Sequence, residues 1–188
     1  MIIRKYTSIN KQKFYSEPFS ITPIRDVDKF KIMKWRNEQI YHLRQSKEIT
    51  KSQQIKYFNE IINPQFNIKY PNQLLFSFFK NDIIKGYGGL VHIDWNSKNA
   101  EISFLMNTEE EKPYFEIYWT NFIFMIEELA FKNLNFKKLY VYSFNLRPNL
   151  YKVLSDNNFY EEARLKDHHF YNDNFIDVLI HSKIKSYD

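Results

Sequence analysis

Glycine is scarce in this sequence: three residues in 188, all within Gly86-Tyr87-Gly88-Gly89. A P-loop or a Gly-rich dinucleotide turn needs glycines at wider spacing between a strand and a helix, so both are excluded. Cysteine is absent, which removes thiol nucleophiles, disulfides, thiolate zinc sites and iron–sulfur clusters. Long apolar runs are missing too. The longest, around Phe122-Ile123-Phe124-Met125-Ile126, is far too short to span a bilayer. The segment Met1 to Thr7 lacks the apolar stretch of a signal peptide. Lys and Arg alternate with Asp and Glu and never form a long basic run, which argues against a nucleic-acid face. The expectation is a cytoplasmic protein with neither a membrane nor a nucleic-acid partner.

Aromatic residues are abundant, with 18 Phe and 14 Tyr. Ile, Lys and Asn are abundant beside them, so an AT-rich coding bias explains the aromatics more economically than a dedicated binding surface does. The net charge of +5 remains compatible with a small anionic ligand such as a nucleotide or a phosphorylated cofactor. The length, with no repeat or linker, fits one domain over residues 1–188.

Periodicity gives the order of elements. A short strand covers residues 19–25. A helix follows, capped by Asp26 or Asp28, with Phe30, Met33 and Ile40 at helical spacing. Thr50 and Gln53 form a capping-box pair ahead of a second helix, whose buried stripe is Ile55, Phe58, Ile61 and Ile62 and which Asn63-Pro64 stops. Three strands at 73–80, 83–95 and 100–106 are joined by short turns and read as an antiparallel meander. A long helix spans roughly 114–134, with Thr108 and Glu111 as a second possible box. A strand at 138–144, a short helix from Pro148 and a closing hairpin complete the chain. A long helix between two strands implies a parallel crossover and so a mixed sheet.

This order resembles the GNAT superfamily of acyl-CoA N-acyltransferases, closest to its ribosomal-protein and amino-sugar N-acetyltransferase branch. The residues that carry the resemblance are Ile24-Arg25, Trp35-Arg36-Asn37-Glu38, Gly86-Tyr87-Gly88-Gly89-Leu90, Ala100-Glu101-Ile102-Ser103-Phe104, Ala130-Phe131, Asn145, and Asn158-Phe159 in place of the usual Gly-Phe. The resemblance covers about Phe19 to Ile184 and rests on the ordered set, since each motif is short. It implies an α/β (α+β) fold: a central mixed, mostly antiparallel sheet of about seven strands flanked by about four helices. It also implies an acetyl-CoA-dependent N-acetyltransferase that moves an acetyl group to a primary amine of a small acceptor, with a nucleotide-linked amino sugar slightly preferred, by direct attack in a ternary complex. The alternatives are a catalytically impaired binding module of the same fold and a protein N-terminal acetyltransferase. A monomer or homodimer is expected.

The family's usual CoA loop of type Gln/Arg-x-x-Gly-x-Gly/Ala would fall near Tyr114 to Trp119. Phe115 and Ile117 stand where glycines would be, and Glu109-Glu110-Glu111 approach it with Lys112 as a possible counter-charge. Phe104, Leu105 and Met106 are the expected strand edge for the pantetheine arm and thioester carbonyl, and Asn145 an expected pantetheine contact. Glu101 is the candidate general base; His92, two residues from Asp94 on one strand face, is a second. The family often places a Tyr acid one helical turn before Gly-Phe. That position is Leu154 here, and Tyr151 lies one turn earlier. Trp35, Arg36, Asn37, Arg44 and His92 are expected to bind the acceptor, with His42 nearby. No metal is expected, because the adjacent His168 and His169 would point to opposite faces of a strand.

Overall fold

The computed structural model describes residues 4–186. Met1–Ile3, part of the N-terminal stretch considered above as a leader, lie outside the described residues. Eight strands make one sheet: β1 (Phe14–Ser16), β2 (Phe19–Pro23), β3 (Leu74–Lys80), β4 (Ile83–Asp94), β5 (Asn99–Met106), β6 (Lys138–Phe144), β7 (Tyr160–Tyr171) and β8 (Asn174–Ile184). Their spatial order is β1-β2-β3-β4-β5-β6-β8-β7. Every neighbouring pair is antiparallel except β5–β6. The strand beyond the expected seven is β1, three residues long and too short to leave a periodic signature.

Five α-helices among the described residues flank the sheet, besides short 3-10 and π turns: α1 (Lys29–Glu38), α2 (Lys51–Tyr57), α3 (Asn63–Gln65), α4 (Thr108–Glu127) and α5 (Pro148–Asp156). The capping box forms as its spacing indicates. Gln53 N–H donates to Thr50 Oγ1 and Thr50 N–H to Gln53 Oε1. Asp28 does not cap α1; its buried carboxylate instead accepts from Arg25 and from Ser77 Oγ. The buried positions of α1 are Ile32 and Trp35, while Phe30 is exposed. Asn63-Pro64 does not end the second helix. A π turn over Phe58–Ile62 re-registers the chain, and Pro64 then sits in the first turn of α3, where its missing N–H costs nothing. Phe58 and Ile62 lie inside, while Ile55 and Ile61 are exposed.

Helix α4 starts well before the sequence indicates. Asn107 caps it, its Oδ1 accepting from Glu109 N–H, so Thr108 and Glu111 form no box. The expected CoA loop at Tyr114–Trp119 is therefore mid-helix, and a single residue, Asn107, links β5 to α4. On one face of the sheet Phe104 stacks on Phe122 of α4 at 4.1 Å and meets Trp119 edge-on. Residues of opposite parity (Tyr87, Glu101, Ser103) face the other way, toward α1 and α2. Among the described residues no helix is long and apolar enough to cross a membrane.

Candidate active site

The two strands of the parallel pair part company almost at once. β5 and β6 are joined at Asn99–Lys138, Ala100–Leu139 and Glu101–Tyr140, and nowhere beyond. Past Glu101 the edges diverge into a V, because β6 continues its pairing with β8 while β5 stays on β4. A cleft of about 700 Å³ opens through the V, lined by Ser103 and Phe104 on one wall and Val141 to Phe144 on the other. It reaches α4 through Trp119 and the α1–α2 side through Arg36, His42, Arg44 and Tyr57.

The glycine cluster keeps the β5 wall in place. A Cβ on Gly88 would fall 2.1 Å from the Ser103 carbonyl oxygen, and one on Gly86 2.6 Å from that of Leu105. The glycines thus admit the backbone of β5 against β4 rather than a ligand. Tyr87, the one side chain in the cluster, stands up between them. Its hydroxyl accepts from Arg36 NH1 at 2.9 Å.

Glu101 sits at the vertex, only 8% exposed. Arg44 NH2 donates to both of its oxygens at 3.0 Å, and Arg44 NH1 donates to His92 Nε2 at 3.1 Å. The guanidinium lies 3.8 Å over the Tyr142 ring. Burial pushes the Glu101 carboxyl above the ordinary carboxylate value, with Arg44 and His92 pulling the other way. His92 reaches this cluster from a β-bulge, with a left-handed φ of 49°. The bulge separates it from Asp94, whose carboxylate instead accepts from Asn96 and Ser97 N–H in the following turn. The expected His92–Asp94 pair does not exist.

The segment carrying Arg44 is tied down by α1. Asn37 Oδ1 accepts from Ile49 N–H and its Nδ2 donates to the Ile49 carbonyl, while Arg36 Nε donates to Gln45 Oε1. Asn37 therefore acts by holding the loop, and Trp35 is a core residue, 5% exposed. Neither lines the cleft, contrary to expectation, because the inward turn of α1 spends them on packing and loop anchorage. Arg36 does line it, and among the described residues no carboxylate lies within ion-pair distance of it.

At the end of the V, Arg147 bridges the two sides. It donates to Glu111 of α4 and, at 3.3 Å, to His42 Nδ1, while His42 Nε2 donates to Gln39 Oε1. Burial, with Arg147 beside it, lowers His42 to about 3. The three glutamates at the start of α4 are all engaged: Glu109 with Lys34, Glu110 with Lys85 and Tyr118, Glu111 with Arg147. Lys112 and Arg147 line a second cavity of about 340 Å³ there, with Tyr41, Phe115 and Pro148.

Leu105 and Met106 are buried side chains on the β5 edge, and the Met106 carbonyl accepts from Gln39 Nε2. Tyr151 does not line the cleft. Its hydroxyl donates to the Phe144 carbonyl at 2.9 Å and approaches Asn145 Oδ1 at 3.3 Å, and its ring stacks on His181. Asn145 is thus placed against Tyr151. Sequence reasoning missed Arg147, Tyr57, Tyr87 and Tyr142. Only Tyr87 carried a signal, as the lone side chain among the glycines. Among the described residues no group of three or more His, Asp and Glu side chains is placed to hold a metal ion.

Comparison with known proteins agrees with this geometry. The chain aligns with solved structures of the spermidine/spermine N-acetyltransferase SpeG from Vibrio cholerae. The form in complex with CoA and spermine gives a TM-score of 0.76 at 16% identity, covering 90% of this chain and 96% of that one. The dodecameric form in an intermediate state gives 0.71 at 17% identity, covering 90% and 95%. A structure described as a putative acetyltransferase gives 0.71 at 11% identity, covering 93% and 87%. No curated protein sequence matches the chain significantly. The profile of the acetyltransferase (GNAT) domain family matches residues 21–180. The chain belongs to that family and is an N-acetyltransferase of the GNAT fold.

Proposed function

We propose that the chain transfers the acetyl group of acetyl-CoA to the primary amine of a small acceptor that carries an anionic group, a nucleotide-linked amino sugar being the preferred class. The observation that carries this reading is the juxtaposition, in one cleft, of the divergent β5–β6 edges, the buried Glu101 carboxylate and the guanidinium of Arg36, which pairs with no carboxylate among the described residues. The structural neighbours are named for spermidine and spermine. A polycation in this cleft would meet Arg36, Arg44 and Arg147 against two lining carboxylates, Glu60 and Glu101, of which Glu101 is already engaged by Arg44. That charge pattern favours an anion.

The pantetheine arm would enter the V against Phe104, Leu105 and Met106, whose backbone is fixed before charge develops on the thioester oxygen. Lys112 and Arg147 would face the phosphates in place of a glycine loop. Arg36, flanked by Tyr57 and Tyr87, would hold the acceptor's anion, and alignment of the two substrates supplies a large part of the rate. Glu101 takes the proton of the acceptor ammonium, directly or through one water. The nitrogen attacks the carbonyl carbon, the C–S bond breaks, and the second proton leaving nitrogen balances the departing thiolate. Tyr151 has no part in this scheme, because its hydroxyl is committed to the Phe144 carbonyl.

A second reading, a binding module of the same fold with impaired catalysis, is favoured by one observation: Asn107 alone links β5 to α4, and Thr108 and three glutamates open the helix where a glycine loop would meet the CoA phosphates. Melting curves with and without acetyl-CoA test binding. At a hundredfold excess over Kd the donor stabilises by about 2.7 kcal/mol. A mass-spectrometric screen of amines with acetyl-CoA then separates the readings. An acetylated product supports transfer; binding without any product, or no melting shift with acetyl-CoA, supports the module.

A further inference from the structure

The contact between Arg44 and Glu101 has three features that an ordinary structural ion pair does not need. First, it is made through one nitrogen: NH2 serves both carboxylate oxygens, so the parallel two-nitrogen fork that makes Arg–carboxylate pairs strong is not formed. Second, the arginine arrives from a segment outside regular secondary structure and is 43% exposed, whereas its carboxylate is 10% exposed. Third, the guanidinium lies over the Tyr142 ring at 3.8 Å, a cation–π contact that does not depend on Glu101. Arg44 also borders the cavities lined by Arg36.

We propose that Arg44 couples acceptor recognition to release of the base: the anionic group of the acceptor draws the Arg44 guanidinium off Glu101, and only then does the carboxylate take the ammonium proton. The inference rests on the acetyl-transfer reading above. With Arg44 in place the carboxyl's proton affinity is raised by burial but held below what burial alone would give, so Glu101 is the weaker base. With Arg44 withdrawn, the buried vertex raises its proton affinity toward the range useful at neutral pH. The groups facing Glu101 are Arg44 from the inter-helix segment, His92 from β4, and Tyr140 and Tyr142 from β6, with Lys138 and Glu162 further along the same open face. Of these, Arg44 alone donates hydrogen bonds to the carboxylate, and it also lines the cleft, so it is a positioning residue with a switching role. An amine without an anion would bind and react slowly; one with an anion would open its own base.

The test follows the Glu101 carboxyl by NMR in the full-length protein labelled with ¹³C at glutamate carboxyls, the resonance being assigned with Glu101→Gln. Inorganic phosphate is the probe. Saturating phosphate is expected to raise the Glu101 titration midpoint by about 1–3 units. Arg44→Gln is expected to raise it without phosphate and to make phosphate ineffective, and Arg44→Lys to restore part of the response. In turnover, Arg44→Gln is expected to remove the kcat advantage of an anionic acceptor over its neutral counterpart while also raising KM. A midpoint that ignores phosphate, or an Arg44→Gln variant with the wild-type midpoint, overturns the coupling. Failure of the underlying reading looks different: Glu101→Gln then transfers acetyl groups at the wild-type rate.

Discussion

Both oxygens of the Glu101 carboxylate accept from the same nitrogen of Arg44, each at 3.0 Å. The carboxylate is buried at the vertex of the β5–β6 divergence and the arginine is half-exposed above it. The pair marks where the sheet stops being a scaffold and becomes a site.

Replacing Glu101 by Gln should lower kcat by about 10²- to 10⁴-fold if the carboxylate is the base. The same variant should be the more stable protein at neutral pH. Burial raises the Glu101 pKa in the folded chain, so the native state holds that proton more tightly than the unfolded chain does. The wild type is therefore free of the penalty below the ordinary carboxylate range and loses stability as pH rises through the raised value. Melting curves of both proteins across that window should diverge upward in pH.

His42 works in the opposite direction. Its folded value of about 3 lies well below the ordinary histidine range, since burial and Arg147 both oppose the imidazolium. Its contribution is complete above pH about 6.5 and is lost as pH falls toward the depressed value, by up to about 1.4 kcal/mol per pH unit. His42→Gln should flatten the acid side of the stability profile measured by denaturant unfolding.

Arg36→Lys keeps a positive charge but loses the planar donors that meet Tyr87 and Gln45. The KM for an anionic acceptor should rise about 10- to 100-fold, the worth of a hydrogen bond to a charged group, with kcat changed far less. Steady-state kinetics at fixed ionic strength would show it. An unchanged KM removes Arg36 from acceptor binding.

Tyr151→Phe should leave kcat within about twofold and cost about 1 kcal/mol of stability, the net worth of its bond to the Phe144 carbonyl. A large loss of kcat with normal stability would return Tyr151 to the chemistry as the acid.

Much of this arrangement was legible in the sequence. The meander, the capping box at Thr50 and the crossover follow from local patterns, and Glu101, Arg36, Arg44 and His92 do meet in one cleft. The start of α4 was not legible. The periodicity starts the helix near residue 114, yet Asn107 caps it directly after β5 ends, and its first turn is built on glutamates whose cationic partners come from distant segments. Arg147 was missed for the same reason: it precedes Pro148 like any loop residue, and its partners Glu111 and His42 lie far away in sequence. The role of Asn37 reversed because its partner, the Ile49 backbone, is in a loop with no periodic signal.

The most direct test of the acceptor assignment is a competition: equal concentrations of a nucleotide-linked amino sugar and spermidine with acetyl-CoA, the products quantified by mass spectrometry. The expected result is acetylation of the anionic amine in clear excess, falling as Arg36 is replaced by Lys. Preferential acetylation of spermidine, undiminished in the Arg36→Lys variant, would contradict the anion-reading cleft.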